Sequence, residues 1–203
     1  KKPDESKAWY ARAAEQGHIP SMLALGRYRE VAELGYAEAQ YELGKQYEDG
    51  VGVPLDEGEA MVWYLKAANN TKTYSEHILE HPSRKAAYAI AKMYEVGKGV
   101  PKNDETALAW IIKAAEMGDS EAPWDIARRY AKGIGVPKDT AVAAEWYVEA
   151  ESRGQDFDWH DLKKICKARG LTLEEMLGAY RKAAETCDAW ADYLADLYEY
   201  GYG

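Results

Sequence analysis

The chain has 203 residues, of which 47% are hydrophobic and 30% are charged, and this balance indicates a folded protein rather than a disordered one. Its formal net charge of -9 argues against nucleic acid as a partner, because phosphate binding depends on a basic surface. No run of about 18 apolar residues occurs, so we predict no transmembrane segment.

A motif rich in glycine occurs three times along the chain. Its copies occupy residues 50–56, 97–104 and 133–139, and each reads Gly-x-Gly-Val-Pro followed within three residues by Asp. A single copy could cradle a phosphate, but three copies in one short chain predict a structural loop. We expect the first glycine to end one helix in the left-handed conformation, the proline to stop that helix, and the aspartate to cap the next helix.

Helical patterns flank each of these loops. The segment before the loop shares Ala-x-x-x-Leu/Ile-Gly/Ala-x-x-Tyr, and the segment after it shares Ala-x-x-Trp. Tyr94 and Tyr130 are 36 residues apart, which gives the repeat period. Small residues such as Gly44 and Ala91 should let the paired helices approach closely. Because one hairpin cannot bury its own apolar face, the pattern predicts an all-α solenoid of stacked helix-loop-helix repeats.

The combined pattern resembles the Sel-1-like repeat (SLR) family, a relative of the tetratricopeptide repeat. The resemblance implies a scaffold that binds a partner protein or peptide, with no enzymatic activity and no cofactor. We expect a single repeat array over residues 1–203. It comprises partial or interrupted repeats at 1–35, clear repeats at 36–70, 84–118 and 119–154, an insertion at 71–83, and degenerate repeats at 155–203.

The first repeats are irregular. Trp9 and Trp63 are 54 residues apart, whereas two periods of 36 residues would give 72, so 18 residues are missing near Glu30. Either this repeat is truncated or the sequence lacks residues at that point. Residues 20–30 are still expected to form a first helix that contains the Leu25-Gly26 pair.

Two groups of residues suggest chemistry beyond a scaffold. His77, Glu80 and His81 match the His-x-x-Glu-His arrangement that binds zinc in inverted zinc proteases. A polar surface insertion is the preferred interpretation, because the proline after His81 would end any helix there and no third ligand is evident, so we predict no metal site. Cys166 and Cys187 form either a disulfide or two free thiols.

The first helices carry a regular series of side chains that we call the first-helix ladder. An apolar or aromatic residue is followed four positions later by a cation, as in Leu23 and Arg27, Tyr41 and Lys45, Tyr88 and Lys92, and Trp124 and Arg128. If first helices line the concave face, as in tetratricopeptide arrays, the ladder would bind an extended partner with acidic groups. Alternatively, Glu30, Glu48 and Glu95 follow three of the cations by three residues and form ordinary surface ion pairs.

Three classes of function therefore remain open. The leading hypothesis is a non-enzymatic interaction scaffold, including the special case of an immunity protein that inhibits a secreted toxin. The second is a polysaccharide-export scaffold that stacks sugar rings on Tyr41, Tyr88 and Trp124, and the third is a zinc-dependent hydrolase that uses the His-x-x-Glu-His insertion. The family resemblance favours a bacterial protein of the periplasm or envelope over a cytoplasmic one.

Overall fold

The structure, a computed structural model, describes residues 3–73, 81–153 and 162–202, and the side chains of residues 5–73, 81–153 and 166–202. These residues form twelve α-helices and no β-strand, so the prediction of an all-α fold is confirmed. The chain divides into two compact units, Lys1–Asn103 and Asp104–Gly203. Within the described residues, no helix combines the length and the apolar character that crossing a bilayer requires.

The described residues of each unit form six helices. The first unit contains α1 (Pro3–Glu15), α2 (Ile19–Ala24), α3 (Tyr28–Glu33), α4 (Ala37–Asp49), α5 (Glu57–Ala68) and α6 (Pro82–Val96). The second unit contains α7 (Asp104–Glu116), α8 (Ala122–Lys132), α9 (Thr140–Ser152), α10 (Leu162–Arg169), α11 (Leu173–Ala184) and α12 (Asp188–Glu199).

Small residues allow close helix packing in the first unit. Its consecutive helices pack on one another, and α4 also contacts α6. A Cβ atom added at Gly44 would lie 2.8 Å from the ring of Tyr64, so this position in α4 tolerates no side chain against α5. Ala91, the corresponding residue of α6, is completely buried. The predicted close approach of paired helices is confirmed at Gly44.

The three repeated loops have the predicted conformation. Gly50, Gly97 and Gly133 each follow a helix in the left-handed region, with φ of 67°, 77° and 72°. Asp56 and Asp139 accept hydrogen bonds from backbone N–H groups in the first turns of α5 and α9. These loops therefore connect helices through local capping, which is a structural role.

The middle loop is capped differently from the expectation. The backbone N–H of Asn103 donates to the carbonyl oxygen of Tyr94 at 2.9 Å, the bond that Asp56 and Asp139 make to the tyrosines of their own repeats. Asn103 thus occupies the position before α7, and Asp104 is the first residue of that helix. The reason is that this copy has one more residue between its proline and its aspartate than the other two.

The second glycine of each loop has close neighbours in the second and third loops but not in the first. Gly52, Gly99 and Gly135 all have positive φ, between 68° and 78°. A Cβ atom at Gly99 would lie 2.6 Å from the carbonyl oxygen of Glu57, and one at Gly135 would lie 2.4 Å from that of Asp104. Nothing lies within 4 Å of the same point at Gly52. Only the second and third loops thus press against the start of the preceding second helix.

The prediction of one first helix over residues 20–30 is wrong. The chain instead forms two helices of six residues, α2 and α3, separated by a turn in which Gly26 has φ of 75°. The shortened repeat leaves too few residues for two full helices, and glycine is the residue that accepts the left-handed turn between them. Leu23 therefore lies on α2 whereas Arg27 precedes α3, so these two do not lie one turn apart on one helix.

The second unit has its core around α9 and α11. Helix α9 packs against α8 and α11, and α11 also contacts α10 and α12. Met176, Tyr180 and Leu197 are completely buried there. Thr172 and Glu175 form a capping box that starts α11, because each side chain accepts a hydrogen bond from the other residue's backbone N–H. This local signal explains how a helix forms where the repeat consensus is weak.

Candidate functional site

Two steps of the first-helix ladder belong to neighbouring helices of the first unit. Tyr41 and Lys45 lie on α4, Tyr88 and Lys92 lie on α6, and the two helices contact each other. Both tyrosines are half-buried and both lysines are exposed. The Tyr41 ring lies 5.6 Å from the ring of Tyr64, between centroids. Each helix thus presents a tyrosine edge and a lysine head to solvent.

The cations of the ladder differ in their ion pairs. The ammonium of Lys92 lies 3.1 Å from the Glu95 carboxylate and 5.2 Å from the centroid of the Tyr88 ring. Lys45 has no ion-pair partner among the residues that the structure describes. Its expected partner, Glu48, instead accepts a hydrogen bond from the Tyr64 hydroxyl at 2.6 Å and pairs with Lys98 at 3.1 Å. The ion-pair alternative therefore applies to Lys92 and not to Lys45.

The first pair of the ladder, Leu23 and Arg27, lies on either side of the turn between α2 and α3. Leu23 is half-buried against the core of the first unit. Arg27 forms an ion pair with Glu30, and this hydrogen-bonded contact lowers the pKa of the Glu30 carboxyl. Arg27 thus forms the surface pair that the alternative interpretation expected, at an exposed position where such pairs contribute little to stability.

In the second unit, Trp124 is packed by other side chains of the chain. Its ring meets the Tyr147 ring edge-on at 5.1 Å, and the guanidinium carbon of Arg169 lies 4.5 Å from its centroid. Arg128, one turn later, pairs with the buried Asp125 while its own side chain is 53% exposed. In this last pair of the ladder, Arg128 is therefore exposed to solvent, whereas Trp124 is packed against other side chains.

A buried polar network adjoins Trp124, and the sequence analysis did not find it. Arg169 pairs with Glu151 at 3.0 Å, and the Tyr180 hydroxyl donates to the same carboxylate at 2.7 Å. Burial raises the pKa of Glu151, although the hydrogen bonds from Tyr180 and Arg169 act in the opposite direction. Glu151 and Arg169 come from different elements outside the consensus positions, so no spacing in the sequence links them.

The candidate zinc motif lies largely outside the described residues, because only His81 of its three members is described. His81 has an extended backbone and precedes α6, whose first residue is Pro82. Pro82 begins this helix, because its fixed φ suits the first helical position, and the prediction that it ends a preceding helix falls on residues outside the described ones. In the part of the chain that the structure describes, no group of three His, Cys, Asp or Glu residues could hold a metal ion.

The two cysteines are separate. Cys166 is a buried free thiol, and burial raises its pKa, whereas Cys187 is an exposed free thiol. Of the two arrangements considered from the sequence, free thiols are the one that the structure contains.

Paired helices, structural loops and open polar helix faces define a helical-repeat protein. The sequence model of the Sel1 repeat matches residues 1–18, 37–71, 84–119 and 120–155, which together make up more than half of the chain. The chain belongs to the Sel1 repeat family, whose members have α-solenoid folds and generally mediate protein–protein interactions. Members of this family are typically non-enzymatic scaffolds.

Two solved structures resemble the chain over much of its length. A Sel1 repeat protein from Oxalobacter formigenes is 32% identical and has a TM-score of 0.54, with 66% of this chain and 92% of that chain covered. A protective antigen of uropathogenic Escherichia coli strains, which displays an SLR fold, is 28% identical with a TM-score of 0.65. That match covers 96% of this chain and 44% of the antigen.

Among curated proteins, chitin synthase regulatory factor 3 of Schizosaccharomyces pombe is 35% identical over 86 residues. The match covers 32% of this chain and 9% of that relative. The chain therefore spans only a small part of this relative's length.

Proposed function

We propose that the chain is a non-enzymatic scaffold that binds an acidic segment of a partner protein along the first-helix ladder. The observation that carries the proposal is Lys45, an exposed cation beside Tyr41 with no ion-pair partner among the described residues. Tyr88 and Lys92 repeat the same pattern on the adjoining helix α6. Together these four residues offer apolar contact and positive charge in one region of the first unit.

The charge of the whole chain makes this local cluster informative. With a net charge of -9, the chain as a whole repels acidic partners. A local basic cluster would therefore orient an acidic segment, since complementary charge determines specificity and association rate more than it determines affinity. The protein-binding role that is general in the family supports the same proposal.

The remaining ladder residues contribute unequally to the proposal. Arg128 offers an exposed guanidinium in the second unit, whereas Leu23 and Arg27 are occupied by the core and by Glu30. Trp124 packs against Arg169 and Tyr147, which weakens the glycan-binding alternative, because a sugar ring needs an open aromatic face.

The proposal predicts that reversing the two lysines lowers affinity for the partner. A protein captured by the wild-type chain is purified, and its dissociation constant is measured for the Lys45→Glu, Lys92→Glu double variant. We expect at least about a tenfold loss of affinity, because two attractive contacts become repulsive. Stability should change by no more than about 0.5 kcal/mol, since both side chains are exposed.

The matched control is the Lys7→Glu, Lys167→Glu double variant, which changes net charge equally at exposed positions outside α4 and α6. This control should bind the partner within about threefold of wild type, which is about 0.7 kcal/mol. Equal affinity of the two double variants would contradict the proposal and indicate a response to net charge alone.

A further inference from the structure

The tryptophans of the second helices share a local arrangement in three repeats. A cation lies three residues after the tryptophan and over its ring. The pairs are Arg12 over Trp9 at 5.8 Å, Lys66 over Trp63 at 3.7 Å and Lys113 over Trp110 at 4.5 Å, each measured to the ring centroid. These contacts are cation–π interactions between residues on one helix face. The tryptophan position of this repeat is thus a place where the fold accommodates a cation.

The fourth repeat has the tryptophan without the cation. Trp146 occupies the equivalent position in α9, but the residue three positions later is Glu149. Glu149 pairs with Arg153 at 2.8 Å, and Arg153 also donates to the backbone carbonyl oxygens of Ala115 and Asp119. Within the described ranges, no cation lies over the Trp146 ring. In this repeat the position three residues after the tryptophan thus holds a glutamate instead of a cation.

A groove opens beside Trp146 in the second unit. It has a volume of about 670 Å³, and its lining is largely apolar, with Trp146, Val148 and Trp190 among the contributors. Glu116 and Glu145 add carboxylates to the same lining. The groove is thus large enough to admit a long side chain between two tryptophans.

The charges of the groove favour a positive occupant. Its two cations are already neutralised, because Arg153 pairs with Glu149 and Lys182 pairs with Glu145 at 2.7 Å. Glu116 is exposed and has no ion-pair partner among the residues described here. An incoming cation would therefore meet an aromatic face and an uncompensated carboxylate, which is the combination that binds cationic side chains.

We infer that this groove binds an arginine or lysine side chain of a partner protein, with Trp146 supplying the aromatic face and Glu116 the counter-charge. The groove is lined by α7, α9, α11 and α12 of the second unit, and it takes the opposite charge from the first-helix ladder. The inference therefore stands independently of the proposed function, and each can fail without the other.

The test uses a defined probe on the full chain. The probe is a blocked glycine–serine peptide with two central arginines, and its neutral twin carries citrulline in their place. Binding is followed by the indole N–H resonances, with that of Trp146 assigned from a Trp146→Phe variant. We expect the arginine peptide to shift the Trp146 resonance, while the resonances of Trp63 and Trp110 stay unchanged because those rings are already covered.

Substitution of Glu149 separates occupancy of the site from general electrostatics. Glu149→Lys restores the cation found in the other repeats, so it should weaken binding of the arginine peptide at least about tenfold. Glu149→Gln leaves Arg153 without this partner but supplies no cation at the ring, so its loss of affinity should be clearly smaller, about threefold. Thermal unfolding of both variants verifies that the fold is retained.

Three outcomes would overturn the inference. These are an equal shift with the citrulline peptide, equal shifts at Trp63 and Trp110, and equal affinities of the folded Glu149→Lys and Glu149→Gln variants. The first would indicate apolar binding, the second nonspecific attraction to an acidic chain, and the third a groove in which the position beside Trp146 holds no cation.

Discussion

The two units of the chain each contain a glutamate that accepts a hydrogen bond from a second-helix tyrosine and also pairs with a cation. In the first unit, Glu48 of α4 accepts from Tyr64 and pairs with Lys98. The Glu48 side chain is 25% exposed and that of Lys98 is 31% exposed. Water therefore solvates both charges, and each could lose its partner at a modest cost.

In the second unit, the corresponding glutamate is enclosed. Glu151 is 4% exposed, and its partner Arg169 is 10% exposed. The Arg169 guanidinium also lies over the rings of Trp124 and Tyr147, at 4.5 and 4.4 Å from their centroids. Removing one charge would therefore leave the other one buried without compensation.

The same combination of a glutamate, a tyrosine and a cation thus has different roles in the two units. Around α4 and α5 the first unit keeps the repeat consensus, so its core there packs from small and aromatic residues, and the side chains of the Glu48 network are partly exposed. The second unit loses the consensus after α9, and its polar network connects α9, α10 and α11 where regular repeat packing is weak. Stability of the second unit should thus depend more on single polar residues.

The largest expected effect comes from removing the buried carboxylate. Glu151→Ala should lower the free energy of unfolding by about 3–5 kcal/mol, because it leaves the Arg169 charge and the Tyr180 hydroxyl without their partner. Glu48→Ala is the matched control and should cost only about 1 kcal/mol. Urea unfolding of both variants measures the difference, and equal losses would contradict the distinction between the two networks.

The loop glycines give the next largest effect. Gly99→Ala and Gly135→Ala should each cost about 3 kcal/mol, since a left-handed alanine is strained and its Cβ would collide with a backbone carbonyl. Gly52→Ala, with the same positive φ but open space, should cost about 1–2 kcal/mol. Thermal unfolding of the three variants tests this order. An equal loss at Gly52 would mean that loop stacking contributes nothing.

Two glutamates of the second unit should give a smaller effect with opposite dependence on pH. Burial raises the pKa of Glu151, so the pH-dependent part of its contribution to stability is present below about pH 4.5 and is lost as pH rises through its folded pKa, while its contacts with Arg169 and Tyr180 remain. The Thr140 hydroxyl and the Thr172 backbone lower the pKa of Glu175. The contribution of Glu175 is therefore present above about pH 4.5 and is lost as pH falls.

Unfolding measured between about pH 3 and pH 7 should separate these two contributions. The difference in unfolding free energy between wild type and Glu151→Gln should shrink as pH rises, whereas the difference for Glu175→Gln should grow. For Glu175→Gln, the change in unfolding free energy across this pH range should stay within about 1 kcal/mol, because the Glu175 side chain is partly solvated. Parallel pH profiles of the two variants would disagree with the assigned directions.

Much of the fold was predictable from the sequence because its signals are local. The caps at Gly50 and Asp56 depend on residues within one loop, and the start of α11 depends on Thr172 and Glu175, which are three positions apart. Within the ladder, the sequence could place Lys45 on the same helix face as Tyr41, and Lys92 on the same face as Tyr88. It could not determine the ion-pair partners of the two lysines. Those partners depend on where Glu48 and Glu95 point, and Glu48 turns to residues of other elements.

Contacts between repeats were the part that the sequence did not predict. Asn70 and Arg153 each come seven residues after the second-helix tryptophan. Asn70 donates to the carbonyl oxygen of Gly35, after α3, and Arg153 donates to those of Ala115 and Asp119, at and just after the end of α7. They are chemically different and lie outside the consensus, so no shared residue type marks their common role. The turn at Gly26 was missed for a similar reason, because the leucine–glycine pair there looks like a helix interior.

The sequence by itself determined the repeat period, the loop conformation and the family, because backbone conformation follows from glycine, proline and apolar spacing over a few residues. The tertiary structure decided which charges are free, paired or buried, because a side chain's partner is set by the packing of elements distant in sequence. Three results of that packing are Lys45 with no ion-pair partner among the described residues, Glu151 enclosed with Arg169, and Trp146 beside an open groove.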